Sequence, residues 1–363
     1  MRCTTQQCIL QQVQMYPALQ PLDLLKFLHQ STFGCGHLIG APEAAEEYLV
    51  REMATCHPSD SPALEPLDGN YCRVNLRYLQ ELCISFKTFS RLFALSAAQP
   101  SGTVTDLEAR LHIAMQLAQE GLLPFSAAAL SAEMERWRAK DYPAIHHSDV
   151  FRECYAPAYR VLTKQHTLLL PLLATVDRLA AEKAPVTLAI DGNSAAGKTT
   201  LATLLAQIYD CNVFHMDDFF LRPEQRTPER YAQPGGNIDH ERFREEVLLP
   251  LSRNEPVQYR RFNCSTFTLS DATPMTGKSI NIVEGAYSMH PRLEKFYDYS
   301  VFLKIDPQTQ RQRIEARNGA YAQQFFEKWI PLENSYFSET NVEARCDLVL
   351  DINLQLQSCA AKY

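Results

Sequence analysis

The octet Gly192-Asn193-Ser194-Ala195-Ala196-Gly197-Lys198-Thr199 restricts the fold of this 363-residue chain more than any other feature. It fits GxxxxGK[ST] at every position. An apolar run from Val186 to Ile190 precedes it as a buried strand, and helical periodicity from Lys198 to Tyr209 follows it. The glycines permit a loop whose successive N–H groups turn inward around phosphate oxygens, and the helix that opens there adds partial positive charge. Lys198 then reaches the β- and γ-phosphates, and the Thr199 hydroxyl is placed for Mg2+. Contacts to ATP, or another NTP, are therefore expected along Gly192, Asn193, Ser194, Ala195, Ala196, Gly197, Lys198, Thr199 and Thr200.

Around this loop the chain has two characters, changing near Ala184-Pro185. Upstream, apolar residues recur at helical spacing, as in Leu24, Leu25, Phe27, Leu28 and in Leu107, Leu111, Ala114, Leu117, Ala118. Residues 1–184 are expected to form an all-α accessory domain. Downstream, strand-like runs at Asn212–His215, Ser279–Val283, Ser300–Ile305 and Asp347–Asp351 alternate with helical patterns. Arg242 to Leu251 reads as a helix, with Asp239 as its N-cap. Residues 185–363 are accordingly expected to form an α/β P-loop domain, a parallel sheet with helices on both faces.

Charge and cysteine usage narrow the setting. Thirty-five Lys and Arg against 42 Asp and Glu leave a net charge of −7, so neither nucleic acid nor an anionic membrane is an expected partner. The eleven cysteines are scattered, with no CxxC pair, which fits free thiols in a reducing compartment. The first residues lack the apolar stretch of a signal peptide. The most apolar run, 167–176, is about half a membrane span and contains Pro171. A cytoplasmic protein is the expectation.

Phosphoryl transfer to an alcohol needs a positioned hydroxyl, Mg2+, and cations facing the γ-phosphoryl group. Asp217 follows a strand and should emerge at the carboxyl edge of the sheet beside the loop, where it can accept the hydroxyl proton. Asp218 is assigned at most a role through metal-bound water. Glu284 ends another strand and is the carboxylate expected at Mg2+ with Thr199. Arg311, Arg313 and Arg317 fall on one helix, and Arg313 and Arg317 share a face.

Taken together, these elements resemble the uridine kinase and phosphoribulokinase family, whose members phosphorylate a hydroxyl of a small molecule. The resemblance rests on Ile190 to Thr200, His215-Met216-Asp217-Asp218-Phe219-Phe220, Asn237-Ile238-Asp239-His240, Val283-Glu284-Gly285 and the segment Asp306 to Arg317, over roughly residues 185 to 355. It implies that Arg317 is the lid arginine on the transferring group and Arg313 a second phosphate contact. It also implies that Asp239 holds sugar hydroxyls and that Phe220 flanks the base or sugar. Where uridine kinases carry a Tyr-Asp-Phe element followed by a histidine-containing stretch, this chain has Tyr259-Arg260-Arg261-Phe262-Asn263-Cys264. Tyr259 and Arg261 become candidate acceptor contacts, and the two arginines suggest an acceptor with some negative charge or a differently held base. A nucleoside acceptor is the leading expectation. A sugar phosphate, a pantothenate-like or a glycerate-like acid is the alternative, and a nucleotide-responsive binding protein without transfer is the contrasting class.

The first half carries no motif tied to a reaction. Phe33-Gly34-Cys35-Gly36-His37-Leu38-Ile39-Gly40 reads as a tight interhelical turn, since no strand precedes it. Cys35, His37, Cys56 and His57 match no closed zinc spacing. His146-His147-Ser148-Asp149 with Tyr155-Ala156-Pro157-Ala158-Tyr159-Arg160 is its densest polar and aromatic cluster, with Ser148 placed to cap a helix. The roles open to this half are covering or regulating the kinase cleft, or forming a homo-oligomer.

Overall fold

The structure, a computed structural model, describes residues 4–35, 42–54, 62–99 and 102–351. The chain divides into two compact units, one within Met1–Thr175 and one within Val176–Leu354, and the division falls inside the helix Leu170–Glu182. No helix among the described residues is long and apolar enough to cross a membrane.

Helices dominate the first unit. Pro21–Phe33 buries Leu24, Leu25, Phe27 and Leu28, and Val104–Gln119 buries Leu107, Leu111, Ala114, Leu117 and Ala118. Thr103 and Asp106 close the start of the second helix reciprocally, each side chain accepting the other's backbone N–H. Ser148 caps Asp149–Tyr155 by accepting the Phe151 N–H. Residues 36–40 of the expected turn, together with His37, Cys56 and His57, lie outside the described residues.

The unit is not all-α. Three strands, β1 (Leu64–Pro66), β2 (Tyr71–Asn75) and β3 (Tyr159–Thr163), form an antiparallel sheet in the order β1–β2–β3. All five residues of β2 are buried, including Arg73, so β2 lacks the polar–apolar alternation that marks a half-exposed strand. Its partner β3 comes from far along the chain, and no local hairpin signal announces the pairing.

The second unit is built on β4 (Val186–Gly192), β5 (Cys211–His215), β6 (Ile280–Glu284), β7 (Tyr299–Lys304) and β8 (Leu348–Asp351). Their order is β8–β7–β4–β6–β5 and every pairing is parallel. β4 is buried along its whole length, as a central strand covered on both faces requires. From β4 the chain goes first to the edge strand β5, returns to place β6 between them, and then crosses to β7 and β8 on the other side of β4, which places a crevice at the carboxyl ends of the central strands. Gly192 ends β4 at φ +139, where an added Cβ would sit 2.2 Å from the Leu303 carbonyl oxygen on β7. Only glycine lets the loop leave the sheet so close to its neighbour.

Candidate active site

The phosphate loop closes between β4 and the helix Lys198–Ile208. Ala195 (φ +63) and Gly197 (φ +98) adopt left-handed backbone, which curls the intervening N–H groups into a concave nest. Lys198 folds over this curl and donates from Nζ to the carbonyl oxygens of Gly192 (2.8 Å) and Asn193 (2.9 Å). The loop is anchored from below by Asp191, which is fully buried. Its carboxylate accepts the N–H groups of Gly192 (2.7 Å), Tyr287 (3.2 Å) and Met289 (2.9 Å) and the Tyr336 hydroxyl (2.8 Å). Burial raises the Asp191 pKa, and these hydrogen bonds oppose the rise.

A cleft of about 500 Å³ opens above the loop. Ser194, Ala195, Gly197, Lys198, Thr199 and Thr200 line one side of it. β5 and β6 are paired so that Glu284 lies opposite His215, and Asp217 follows on the turn after β5. Both carboxylates, Asp217 and Glu284, therefore reach the cleft. The Thr199 hydroxyl donates to Glu284 Oε1 at 3.0 Å, and His215 Nδ1 lies 2.6 Å from the same oxygen. That hydrogen bond is the main reason the His215 pKa is raised.

The Asp217 side chain is exposed and lines the cleft. Reduced hydration, with Glu284 and Asp218 nearby, raises its pKa, while Lys198 pulls it down. Its open face fits a group that meets a ligand.

The expected arginine helix is Pro307–Asn318, capped by Asp306. Arg313 and Arg317 line the cleft, and Arg313 Nη1 donates to the Ala195 carbonyl at 3.1 Å. Arg311 instead pairs with Glu315 at 3.0 Å and covers the Phe326 ring. After this helix a wide π-helical turn, Phe325–Trp329, brings Phe325 and Trp329 to the cleft, where Trp329 lies 5.9 Å from Phe220 between ring centroids.

Three candidate acceptor contacts are engaged elsewhere. Asp239 is buried and caps the next helix by accepting the Arg242 N–H, and its own N–H donates to the Phe219 carbonyl. Tyr259 donates to Asp218 Oδ2 at 2.7 Å and accepts the His215 N–H at 3.0 Å. Arg261 is exposed, with Nε 3.5 Å from Asp218 Oδ2, and Arg260 pairs with Glu246. None of the four lines the cleft. Tyr259 and Asp239 instead brace the turn that carries Asp217.

Other cleft residues escape the sequence reading. Glu333, on Ile330–Thr340, is buried, and its carboxylate accepts both the N–H (2.9 Å) and the hydroxyl of Ser194. Burial raises its pKa, with Lys198 opposing. Asn237 and Tyr287 line the same wall. Asn237 stands in a quoted motif, but a lone glutamate on a polar helix gives no signal.

The site fits Mg2+. This small, hard cation takes one or two protein oxygens and fills its remaining positions with water and substrate phosphates. Thr199 Oγ1 and the Glu284 carboxylate are such a pair. The described residues hold no cluster of three or more His, Cys, Asp or Glu side chains that would bind a metal unaided.

Sheet order, phosphate loop and arginine helix together define an α/β P-loop domain. No protein-family model matches the sequence, and no curated protein matches it. Among solved structures, the chain is similar to a possible uridine kinase from Bacillus stearothermophilus, with 23% identity over 50% of this chain and 99% of that one, at a TM-score of 0.38. A provisionally assigned fructose transport system kinase from Silicibacter sp. matches with 20% identity over 48% of this chain and 95% of that one, TM-score 0.40. Shikimate kinase from Bacteroides thetaiotaomicron matches with 15% identity over 46% and 85%, TM-score 0.24.

Proposed function

We propose that the second unit is a kinase that transfers the γ-phosphoryl group of ATP, or of another NTP, to a hydroxyl of a small molecule. The observation that carries this reading is the convergence of Asp217 with Lys198, Thr199, Glu284, Arg313 and Arg317 on one cleft. A protein that only senses nucleotide has no use for an open carboxylate placed beside the phosphate loop.

In the reaction, the acceptor oxygen attacks the γ-phosphorus, the bond from that phosphorus to the β–γ bridging oxygen breaks, and ADP leaves with the electron pair. Asp217 orients the hydroxyl and takes its proton. Lys198 leaves the Gly192 and Asn193 carbonyls for the β- and γ-phosphates. Arg317, with Arg313, neutralises charge gathering on the equatorial oxygens. Mg2+, held by Thr199 and Glu284, supplies further charge neutralisation when bound.

A neutral acceptor fits this cleft better than an anionic one. Arg260 and Arg261, which suggested negative charge, lie outside its lining, while Asn237, Tyr287, Phe220 and Trp329 lie within it. Two aromatic rings and an amide suit a planar base with a sugar, so a nucleoside is the first acceptor to test. The cytoplasm is the proposed compartment.

ADP release measured against nucleosides, sugars and small hydroxy acids tests the reading. We expect one neutral hydroxyl compound to stimulate release about tenfold or more over basal hydrolysis. Failure of every acceptor, with ATP still bound, would favour the binding protein.

A further inference from the structure

Three carboxylates among the described residues line the cleft, Asp217, Glu284 and Glu333, and the proposed reaction employs only the first two. Glu333 stands four residues after Trp329, in the run that passes from the π-helical turn Phe325–Trp329 into Ile330–Thr340. The two side chains therefore share a face, and both line the cleft. Phe220 stands three residues after Asp217 and meets Trp329 at 5.9 Å between ring centroids. Two short strips, each carrying one ring and one carboxylate, thus meet at their rings. Lys198 opposes the raised pKa of both Asp217 and Glu333, so both carboxylates lie within reach of its charge.

Ser194 supplies donors to Glu333 through its N–H and its hydroxyl. The same stretch of loop is braced from the arginine helix, where Gln310 Nε2 donates to the Ser194 carbonyl at 3.1 Å and Arg313 to that of Ala195. A triphosphate seated in the loop takes the Ser194 N–H for a phosphate oxygen. The Glu333 carboxylate is then left beside phosphate with one of these donors gone. A buried carboxylate short of donors is costly, and that cost falls when a ligand brings hydroxyl groups to it. The cleft, about 500 Å³, has room for the side chain to turn off the loop toward the two rings.

We propose that Glu333 is an acceptor-binding residue made available by nucleotide. Displaced from Ser194 by the triphosphate, its carboxylate receives a second hydroxyl of the acceptor while Asp217 receives the reacting one. The inference rests on the kinase reading, which puts the triphosphate on the loop and the acceptor against Phe220 and Trp329. It names the acceptor class as a ring-bearing polyol rather than a simple alcohol. By linkage, nucleotide and acceptor each tighten the binding of the other.

Equilibrium binding of the four common ribonucleosides and their 2′,3′-dideoxy counterparts to the full chain tests it, with and without a non-hydrolysable ATP analogue and Mg2+. Each pair shares its ring and its 5′-hydroxyl and differs only in the two hydroxyls offered to Glu333. We expect one ribonucleoside to bind about tenfold more tightly with the analogue than without it. In the presence of the analogue its dideoxy counterpart should bind about tenfold more weakly. Both ratios should fall to about threefold or less in Glu333→Gln. Should that variant fold poorly, a crystal of the unaltered protein with analogue and ribonucleoside decides, with Glu333 expected off Ser194 and against a sugar hydroxyl.

Absence of ribonucleoside binding, equal affinity for both members of each pair, or affinity indifferent to the analogue would each overturn the proposal. So would both ratios kept in a folded Glu333→Gln, or Glu333 still on Ser194 in the crystal. Any of these results with acceptor-stimulated ADP release intact leaves the kinase reading standing. The expected ratios without any ADP release would instead retire that reading and keep Glu333 as a ligand contact.

Discussion

The Glu333 carboxylate accepts the Ser194 backbone N–H at 2.9 Å, so the phosphate loop carries an anion supplied by its own chain. Loop N–H groups of this kind are the ones that cradle phosphate oxygens. An incoming triphosphate and Glu333 therefore compete for the same donor and repel each other. Glu333→Gln keeps the size and an acceptor oxygen while removing the charge. It should tighten ATP binding by about 1 kcal/mol, roughly fivefold, in a direct titration. Unchanged or weaker binding would show that Glu333 supports the loop without opposing its ligand.

Asp191 sets up the complementary case of a carboxylate the fold cannot spare. It gathers three backbone N–H groups and one hydroxyl that no water reaches. Asp191→Ala leaves them without acceptors and should cost about 3 kcal/mol or more in urea denaturation. A loss well under about 1 kcal/mol would mean that the loop after β6 finds other partners.

The hydrogen bond from His215 to Glu284 gives the metal-free protein a pH signature. A folded-state pKa above the ordinary value of 6.5 stabilises the fold below that pH, and the contribution is lost as pH rises through the raised value. In chelator, the parent should exceed His215→Gln in melting temperature by more at about pH 6 than at about pH 8.5. An equal difference at both would contradict the pairing.

How much of this was legible in sequence depended on how local each signal is. The phosphate loop and its flanking strand and helix are encoded within a few residues of one another, and structure and sequence agree there. Asp217 and Glu284 were readable because an acid just after a parallel strand emerges at the ligand-binding edge. Side-chain type does not reveal which residues face a cleft, and neither Tyr259 nor Asp239, both candidate acceptor contacts by resemblance, is in its lining. In the structure the Tyr259 hydroxyl binds Asp218 and the Asp239 main-chain N–H binds the Phe219 carbonyl, both on the turn that carries Asp217. Glu333 gave no signal, since its role depends on a helix returning to the loop across a long stretch of chain. β2 was hidden by a buried arginine that breaks any apolar pattern.

The central claim is that Asp217 handles the acceptor's proton, and Asp217→Asn tests it most directly. ATP binding and acceptor-stimulated ADP release are to be measured on the same preparation. The account requires ATP affinity within about threefold of the parent, while stimulated turnover falls by about 10²–10⁴. Retained turnover, or equal loss of binding and turnover, would contradict it.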